Sequence, residues 1–565
     1  MDIEYLKHRA ASLKEQRQPL ENELKTIRDH LLPDAGMFES DISMTSENNE
    51  YQDLQRRKVI NSIGTEDLLK LSSAILTTII PKGQRWFSLR LNDGEDETKE
   101  DMEFLRDSEN KLFQMFRSSN LYSEAEKLLT EMACFGPAPM SREYNKTDGF
   151  VFKQLTVGSY WLDRDENGKV NTLMRAMKLN LAQLISLFGE DALTEGEKLS
   201  IEKSRKSLYS TKLTVYHLVE PNQKYLPFAN KKINNKPFVS VYFRAAMDKK
   251  NQDKIILRLK TFDKFPYLCP TWEVRGTNVY GSGLGRRALG NVQSLQSVEK
   301  DILNASKQDA APLLIANPDV KKELTQYLKE GFTSETVIYS DIKEPVKRAI
   351  NASNNINNIA QVREAYIKDI GGMFKKDLFF GISETNRTMT ATEASYRKQE
   401  QLGLIGGTVD IIQDSLLREL VEWGFESLME AGELGEIPDS MDGKDIDVKY
   451  TSLLSQAQEL TDLSLMERFV QQLLGLAGAF PDAAMKVDIM EYVDVYAKKL
   501  GVKPHIVRSD SEINKIKEAQ AEIAKEAQQA QQADTMLKSS QSMKNLAETP
   551  TTGQTALTEL FGGQA

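Results

Sequence analysis

The apolar period of this chain changes twice along its length, which rules out an all-helical, an all-strand or a repeating strand–helix–strand fold. Up to about residue 130 the period is helical. Leu13, Leu20, Leu24, Ile27 and Leu31 form one stripe, ended by Pro33 and Gly36. Val59, Ile63, Leu68, Leu71, Ile75 and Ile79 form another, stopped by Pro81. Asp101 to Arg117 and Leu121 to Met132 read as two more helices, and Trp86 to Leu89 as a short strand. A polar loop separates the first two stripes, Glu39 to Tyr51.

From Phe150 the period becomes two. Strands are expected at Phe150–Leu155, Gly158–Leu162, Val170–Met177, Leu213–Val219, Phe238–Arg244 and Ile255–Phe262, with a short helix at Leu179–Phe188. Asn167-Gly168 supplies the positive backbone angles of a tight hairpin turn. From Leu284 the period is helical again. Leu284, Ala288, Val292, Leu295 and Ile302 mark one helix, and Ile359, Val362, Tyr366, Ile370 and Met373 a second. A third carries Leu402, Ile405, Val409, Ile412, Leu416, Leu420 and Trp423. From Thr392 to Ala431 it spans roughly 60 Å at 1.5 Å per residue, and Gly403, Gly406 and Gly407 predict a kink near its start. The fold class is α+β, mainly helical.

At 565 residues the chain is too long for one ordinary core, and two to four packed units are expected. No apolar run reaches membrane-spanning length, and Met1 to Ala10 lacks the apolar core of a signal peptide. A cytosol-like place of synthesis and assembly is therefore expected. Cys134 and Cys269 are too few for a disulfide framework, and His8, His30, His217 and His505 are scattered, so no metal site is expected. The net charge of −10 argues against a surface that grips DNA phosphates throughout, and suits one that DNA passes without sticking. Residues 511–547 are rich in Ala, Gln, Glu and Lys and cannot bury a core alone.

Catalytic motifs are missing. There is no phosphate-cradling Gly-x-x-x-x-Gly-Lys loop, no nucleophile elbow, no His-Glu-x-x-His helix and no Cys-x-x-Cys pair. The glycine turn Gly281, Gly283 and Gly285 opens a helix, and Asp301 follows at the distance of a ribose-binding carboxylate. The third glycine comes one residue early, so the turn reads as a flexible joint from sheet to helix, with a nucleotide site as the alternative. Acidic pairs such as Asp163 and Asp165 sit in turns and read as solvated. Lys343, Lys347 and Arg348 form a basic group in a small unit between two helices, for which a solvated face is the default. The loop Asn386, Arg387, Thr388, Met389 and Thr390 interrupts the helical block, a setting where functional contacts concentrate.

Five segments in order resemble the head-to-tail connector, or portal, proteins of short-tailed bacteriophages. They are Ile79 to Phe87, Gly158 to Leu162 with the following hairpin, Tyr280 to Gly285 with the helix to Leu314, Thr390 to Ala394, and Leu500 to Ser509. The resemblance covers about residues 15 to 530 and implies a portal fold. Its parts would be a wing over 1–280, stem helices at 281–312 and 351–380, and a clip at 313–350. A channel loop at 381–391, a long wing helix and strand at 392–451, a crown at 452–510 and a helical barrel or flexible tail at 511–565 complete it. The implied assembly is a ring, usually a dodecamer, at one capsid vertex of the virion, put together in the host cytoplasm. Double-stranded DNA would pass through it. Implied partners are the terminase large subunit, a head-tail adaptor, scaffold and major capsid proteins, and internal ejection proteins. Neither catalysis, a cofactor, a metal nor a membrane is implied. Another virion structural or core protein is the competing reading.

Overall fold

The computed structural model describes residues 2–38, 59–91, 98–225, 235–245, 255–311, 313–329, 337–341, 343–348, 353–375, 409–435, 437–441 and 446–450. It further describes 531–545 and scattered positions between 463 and 555. Two units divide the chain, Met1–Ser455 and Gln456–Ala565. In the second, the helix 531–545 has every residue exposed, including its few large apolar side chains, Met536, Leu537 and Met543.

Among the described residues the first unit begins with helices α1 (Ile3–Leu31), α2 (Ile63–Ile79), α3 (Lys99–Ser118) and α4 (Leu121–Phe135). Between α2 and α3 lies strand β1 (Phe87–Leu91). Asp2 caps α1, accepting from the Glu4 amide, and Thr98 and Asp101 cap α3 reciprocally. Strands β2 (Met140–Asn145) and β3 (Gly149–Gln154) follow, then β4 (Tyr160–Arg164) and β5 (Val170–Asn180). Gly168 turns the β4–β5 hairpin at φ +78, as the Asn-Gly pair predicts. Helices α5 (Leu181–Phe188) and α6 (Glu195–Lys203) precede β6 (Lys212–Pro221), β7 (Phe238–Arg244), β8 (Ile256–Phe262) and the short β9 (Tyr267–Leu268).

Strands β4 to β8 form one antiparallel meander in sequence order, and β3, β2 and β9 form a second sheet. The first half of α1 lies on one face of the meander, where Leu6, Ala10 and Leu13 meet Trp161, Met174, Leu218 and Phe243. Arg17 locks this contact: its guanidinium is buried and donates to the carbonyls of Gly158 (2.9 Å) and Tyr160 (2.6 Å). These carbonyls offset part of the cost of burying the guanidinium.

The main core joins the N-terminal helices to distant parts of the chain. Helix α7 (Leu284–Ala310) is followed by β10 (Leu314–Ala316), α8 (Lys321–Lys329), β11 (Val337–Tyr339), β12 (Val346–Arg348) and α9 (Ser353–Met373). The third long stripe is helical from Val409, passes through a π-helical turn at Gln413–Leu417, and continues as α10 (Arg418–Glu430). Its expected start at Thr392 and the Gly403–Gly407 kink lie outside the described residues. Strand β13 (Ile446–Tyr450) closes the unit by pairing antiparallel with β1. Aromatic side chains Trp86, Phe87, Phe116, Phe150, Phe152 and Trp423 knit β1, α3, β3 and α10, with neighbouring ring centroids 4.7 to 6.4 Å apart. Removing one such ring costs about 3–5 kcal/mol, so this cluster sets where α10 sits.

Candidate functional site

The three elements between Gly281 and Met373 form a distinct arrangement: a glycine corner, a pair of helices, and a small sheet between them in sequence. At the corner, Gly281 has φ +60, and a side chain there would sit 2.4 Å from the Glu273 carbonyl oxygen. A Cβ on Gly283 or Gly285 would fall 2.6 or 2.5 Å from the Cys134 carbonyl oxygen at the end of α4. The glycines are thus required by close approach of backbone to backbone, not by freedom to move. The expected flexible joint is a packed corner.

Its surroundings reinforce that. The Ser282 amide donates to the Glu273 carbonyl at 2.8 Å, and the Leu162 amide donates to the Tyr280 hydroxyl at 3.2 Å. Arg164 donates to the Val279 carbonyl at 2.6 Å and the Thr271 hydroxyl at 2.7 Å. Arg286 pairs with Glu23 on α1 and Arg287 with Glu273, so both flanks of the first turn of α7 are tied down. Arg286 holds the Glu23 carboxyl below its usual range. Beneath the corner, burial raises the Glu131 carboxyl to about 7; it accepts from the Val157 amide at 2.7 Å. The Cys134 thiol is pushed up by the same burial and is free, as is Cys269.

This geometry does not suit a nucleotide. The turn faces carbonyl oxygens of Glu273 and Cys134, which repel phosphate, and Asp301 lies about 27 Å along α7 from the turn, counted at 1.5 Å per residue. The alternative nucleotide reading of Gly281 to Gly285 fails on both counts.

Helices α7 and α9 run antiparallel, with Asn291 near Met373 at one end and Arg363 donating to Glu299 at 2.6 Å further along. Their two halves differ. In α7 every buried residue lies between Leu284 and Gln296. From residue 297 to 310 none is buried, and Leu303 is 48 % exposed. In α9 no residue from Asn358 to Asp369 is buried, and Val362 is 47 % exposed. Gln296 marks the boundary, its side chain accepting from the Ile60 and Asn61 amides at 2.7 and 3.0 Å.

Beyond that half sits the small sheet, in the order β11–β10–β12, with β11 parallel and β12 antiparallel to β10. Helix α8 makes the crossover between the parallel strands, and Leu324, Leu314 and Ala316 are buried. Lys347 pairs with Ile315, and Ile315 with Ile338. These three therefore share one face, on which Ile338 and Lys347 are exposed. Lys343 is exposed just before β12, and the backbone of Arg348 pairs with Leu314. The sheet gathers the basic group at one edge strand. By helix rise it is about 40 Å from the glycine corner. Asn386, Arg387, Thr388, Met389 and Thr390 lie outside the described residues.

Sequence patterning missed the pairs that hold these pieces: Arg363 with Glu299, Arg164 with Thr271, and Arg286 with Glu23. Each joins segments far apart in the chain, and only the Arg286-Arg287 doublet beside the glycines was a visible signal.

Comparison with known proteins now has a geometry to refer to. The family model described as bacteriophage head to tail connecting protein matches residues 4–507. The chain belongs to that family. It is similar to the probable portal protein of Bordetella phage BPP-1, 28 % identical over 561 residues, covering 98 % of this chain and 96 % of that protein. It is equally similar to the portal protein of Salmonella phage epsilon15, 28 % identical over 563 residues, covering 99 % and 97 %.

Proposed function

We propose that this chain is the subunit of a portal ring, a dodecamer at one capsid vertex, through which double-stranded DNA enters and leaves the head and to which the tail is joined. The observation that carries the reading is the half-bare helix pair. Residues 297–310 of α7 and 358–369 of α9 include no fully buried residue, although Tyr366 and Ile367 pack partly against the core, and Leu303 and Val362 are 48 % and 47 % exposed. Helices with uncovered apolar positions are complete when copies of the chain flank them in closed symmetry. The likeness to two proteins named portal proteins supports it along nearly the whole chain.

In this reading residues 1–280 and 392–451 make the wing, 281–312 and 351–380 the stem helices, and 313–350 the clip. Residues 381–391 are the channel loop, 452–510 the crown and 511–565 a barrel or flexible tail. The role is structural, without catalysis, and the protein resides in the virion. Lys343, Lys347 and Arg348 on the clip edge meet the terminase large subunit during packaging and a head-tail adaptor later. Scaffold, major capsid and internal ejection proteins are the remaining partners. Arg387 faces DNA in the channel.

Negative-stain microscopy of the purified protein is the direct test. Rings with a central hole are expected; a chain that stays monomeric under assembly conditions refutes the reading. Arg387→Ala is expected to leave rings intact while reducing DNA packaging or retention in assembled particles. Unchanged packaging and retention would remove Arg387 from the channel.

A further inference from the structure

Far from the helix pair, a cavity of about 770 Å³ opens between the meander, strand β2 and helix α10. Its volume is in the range that holds a drug-sized ligand, well beyond what a single inorganic ion occupies. One wall is a lateral row across the sheet. Arg175 on β5 pairs with His217 on β6, His217 with Tyr242 on β7, and Tyr242 with Arg258 on β8. Residues in such a row point to the same face. Arg142 of β2 stands on the opposite wall, its Cζ 5.4 Å from the centre of the Trp423 ring.

The charge on these walls is unbalanced. Seven basic side chains line the cavity against four carboxylates. Two of the four are already engaged, Asp263 by Lys236 and Glu426 by Lys264. Arg142 is 7 % exposed and donates only to backbone carbonyls, of Glu419 at 2.6 Å and Phe265 at 3.0 Å. Its Nε has no partner, and neither has that of Arg175, whose Cζ lies 5.7 Å from the centre of the Tyr267 ring. Among the described residues neither guanidinium forms an ion pair with a carboxylate. Carbonyl dipoles satisfy donors but do not neutralise a charge, and a buried cation without a counter-anion is costly. Consistent with that cost, burial lowers Arg142 to about 10 against the opposing pull of the Glu419, Glu426 and Glu422 carboxylates, whereas at Arg175 the field of Tyr267 and Tyr242 and a hydrogen bond to Tyr242 outweigh burial and raise it.

His217 between them adds no charge. Its Nδ1 lies 2.7 Å from the Tyr267 hydroxyl and its Nε2 2.7 Å from the Ser240 hydroxyl, it stacks on Tyr242 at 3.8 Å, and burial lowers its pKa well below the usual value. The ring works as a rigid spacer that holds Arg175 and Tyr242 in the row.

We propose that this cavity binds a carboxylate carried by an acidic peptide segment, with Arg142 and Arg175 as the anchoring cations. A planar guanidinium fork matches a carboxylate. The aromatic faces of Trp423, Tyr242 and Tyr267 suit the apolar parts of neighbouring peptide residues. Glu143 and Glu430, also lining the cavity, disfavour a phosphate dianion more than a single carboxylate. The site is independent of the ring: it is built within one chain and needs no second copy.

The test is calorimetric titration of the full chain with three probes: a blocked tripeptide carrying glutamate between two leucines, its glutamine counterpart, and inorganic phosphate. Saturable binding of the glutamate peptide is expected, with a roughly tenfold loss for the glutamine counterpart, the order of one charge-assisted hydrogen bond. Arg175→Gln should weaken the glutamate peptide by a similar factor with an unchanged circular dichroism spectrum. Should that variant fold poorly, Lys260→Ala at the exposed rim is expected to give a smaller loss with the fold intact. Equal binding of both peptides, binding of phosphate alone, no binding of any probe, or indifference to both substitutions would each overturn the proposal.

Discussion

The aromatic core and the helix pair obey different rules within one polypeptide. Around Phe116 and Trp423 apolar positions face other parts of the same chain, and Trp86, Phe87 and Phe116 are fully buried. In the outer half of α7 and α9 the helical pattern persists, but Leu303 and Val362 are 48 % and 47 % exposed. The first region encodes its own stability. The second is paired through Glu299 and Arg363 and leaves part of its apolar surface open within the described residues. In the proposed ring, a well-patterned region is left incomplete by its own chain because another copy completes it.

Substitutions can separate the two regions by the size of their effects. Phe116→Ala should cost about 4 kcal/mol, since it opens a hole among rings of β1, α3 and β3. Denaturant unfolding of the dissociated chain would show it; a loss under about 1 kcal/mol would mean the core is looser than its packing implies. Gly283→Ala comes next, at about 3 kcal/mol, because its methyl meets the Cys134 and Ala133 carbonyls at 2.6 and 2.8 Å. A mild effect there would return the corner to a movable joint.

Glu131 gives a pH-dependent contrast. Burial lifts its folded pKa to about 7 from the ordinary 4.5, so the folded state holds the proton over that window and the unfolded state does not. Its contribution is fully present below about 4.5 and is lost as pH rises to about 7. Glu131→Gln should flatten the unfolding midpoint between pH 5 and 7, and a slope equal to the unsubstituted protein would contradict the burial argument.

The smallest stability changes belong to the outer helices. Leu303→Asp and Val362→Asp should shift the unfolding of the single chain by less than about 0.5 kcal/mol. In sedimentation velocity the same variants should fail to assemble. If instead they unfold the chain, those faces belong to its own core.

Much of this was legible because it is local. The α1, α2, α7 and α9 stripes and the Asn167-Gly168 hairpin each declare themselves within a short window. The helix at Glu195–Lys203 also carried its signal, a Thr194 and Glu197 capping box, although its apolar pattern is too weak to attract notice. Strand β2 was not legible. Met140 to Asn145 is polar because Arg142 is drawn into the cavity, so period two is broken by a buried charge. The pairing of β1 with β13 was beyond periodicity, since no local pattern names a partner that far away. Of the site, the glycine turn and the basic group Lys343, Lys347 and Arg348 were picked out by residue type, but the packing of the first and the strand carrying the second were not, and the row from Arg175 to Arg258 was invisible until register brought four strands together.

That distant pairing has a consequence for synthesis. Ser88 finds Lys449, and Leu89 finds Val448, only after the intervening chain has been made. At ordinary translation speeds the roughly 350 residues between Leu91 and Ile446 take about 20 to 70 s. For that interval the nascent chain carries β1, with Phe87, Leu89 and Leu91, as an unpaired edge. A ribosome stalled before Ile446 would release a product whose helices are formed but whose sticky strand is open. Quality control in the host would meet that species first.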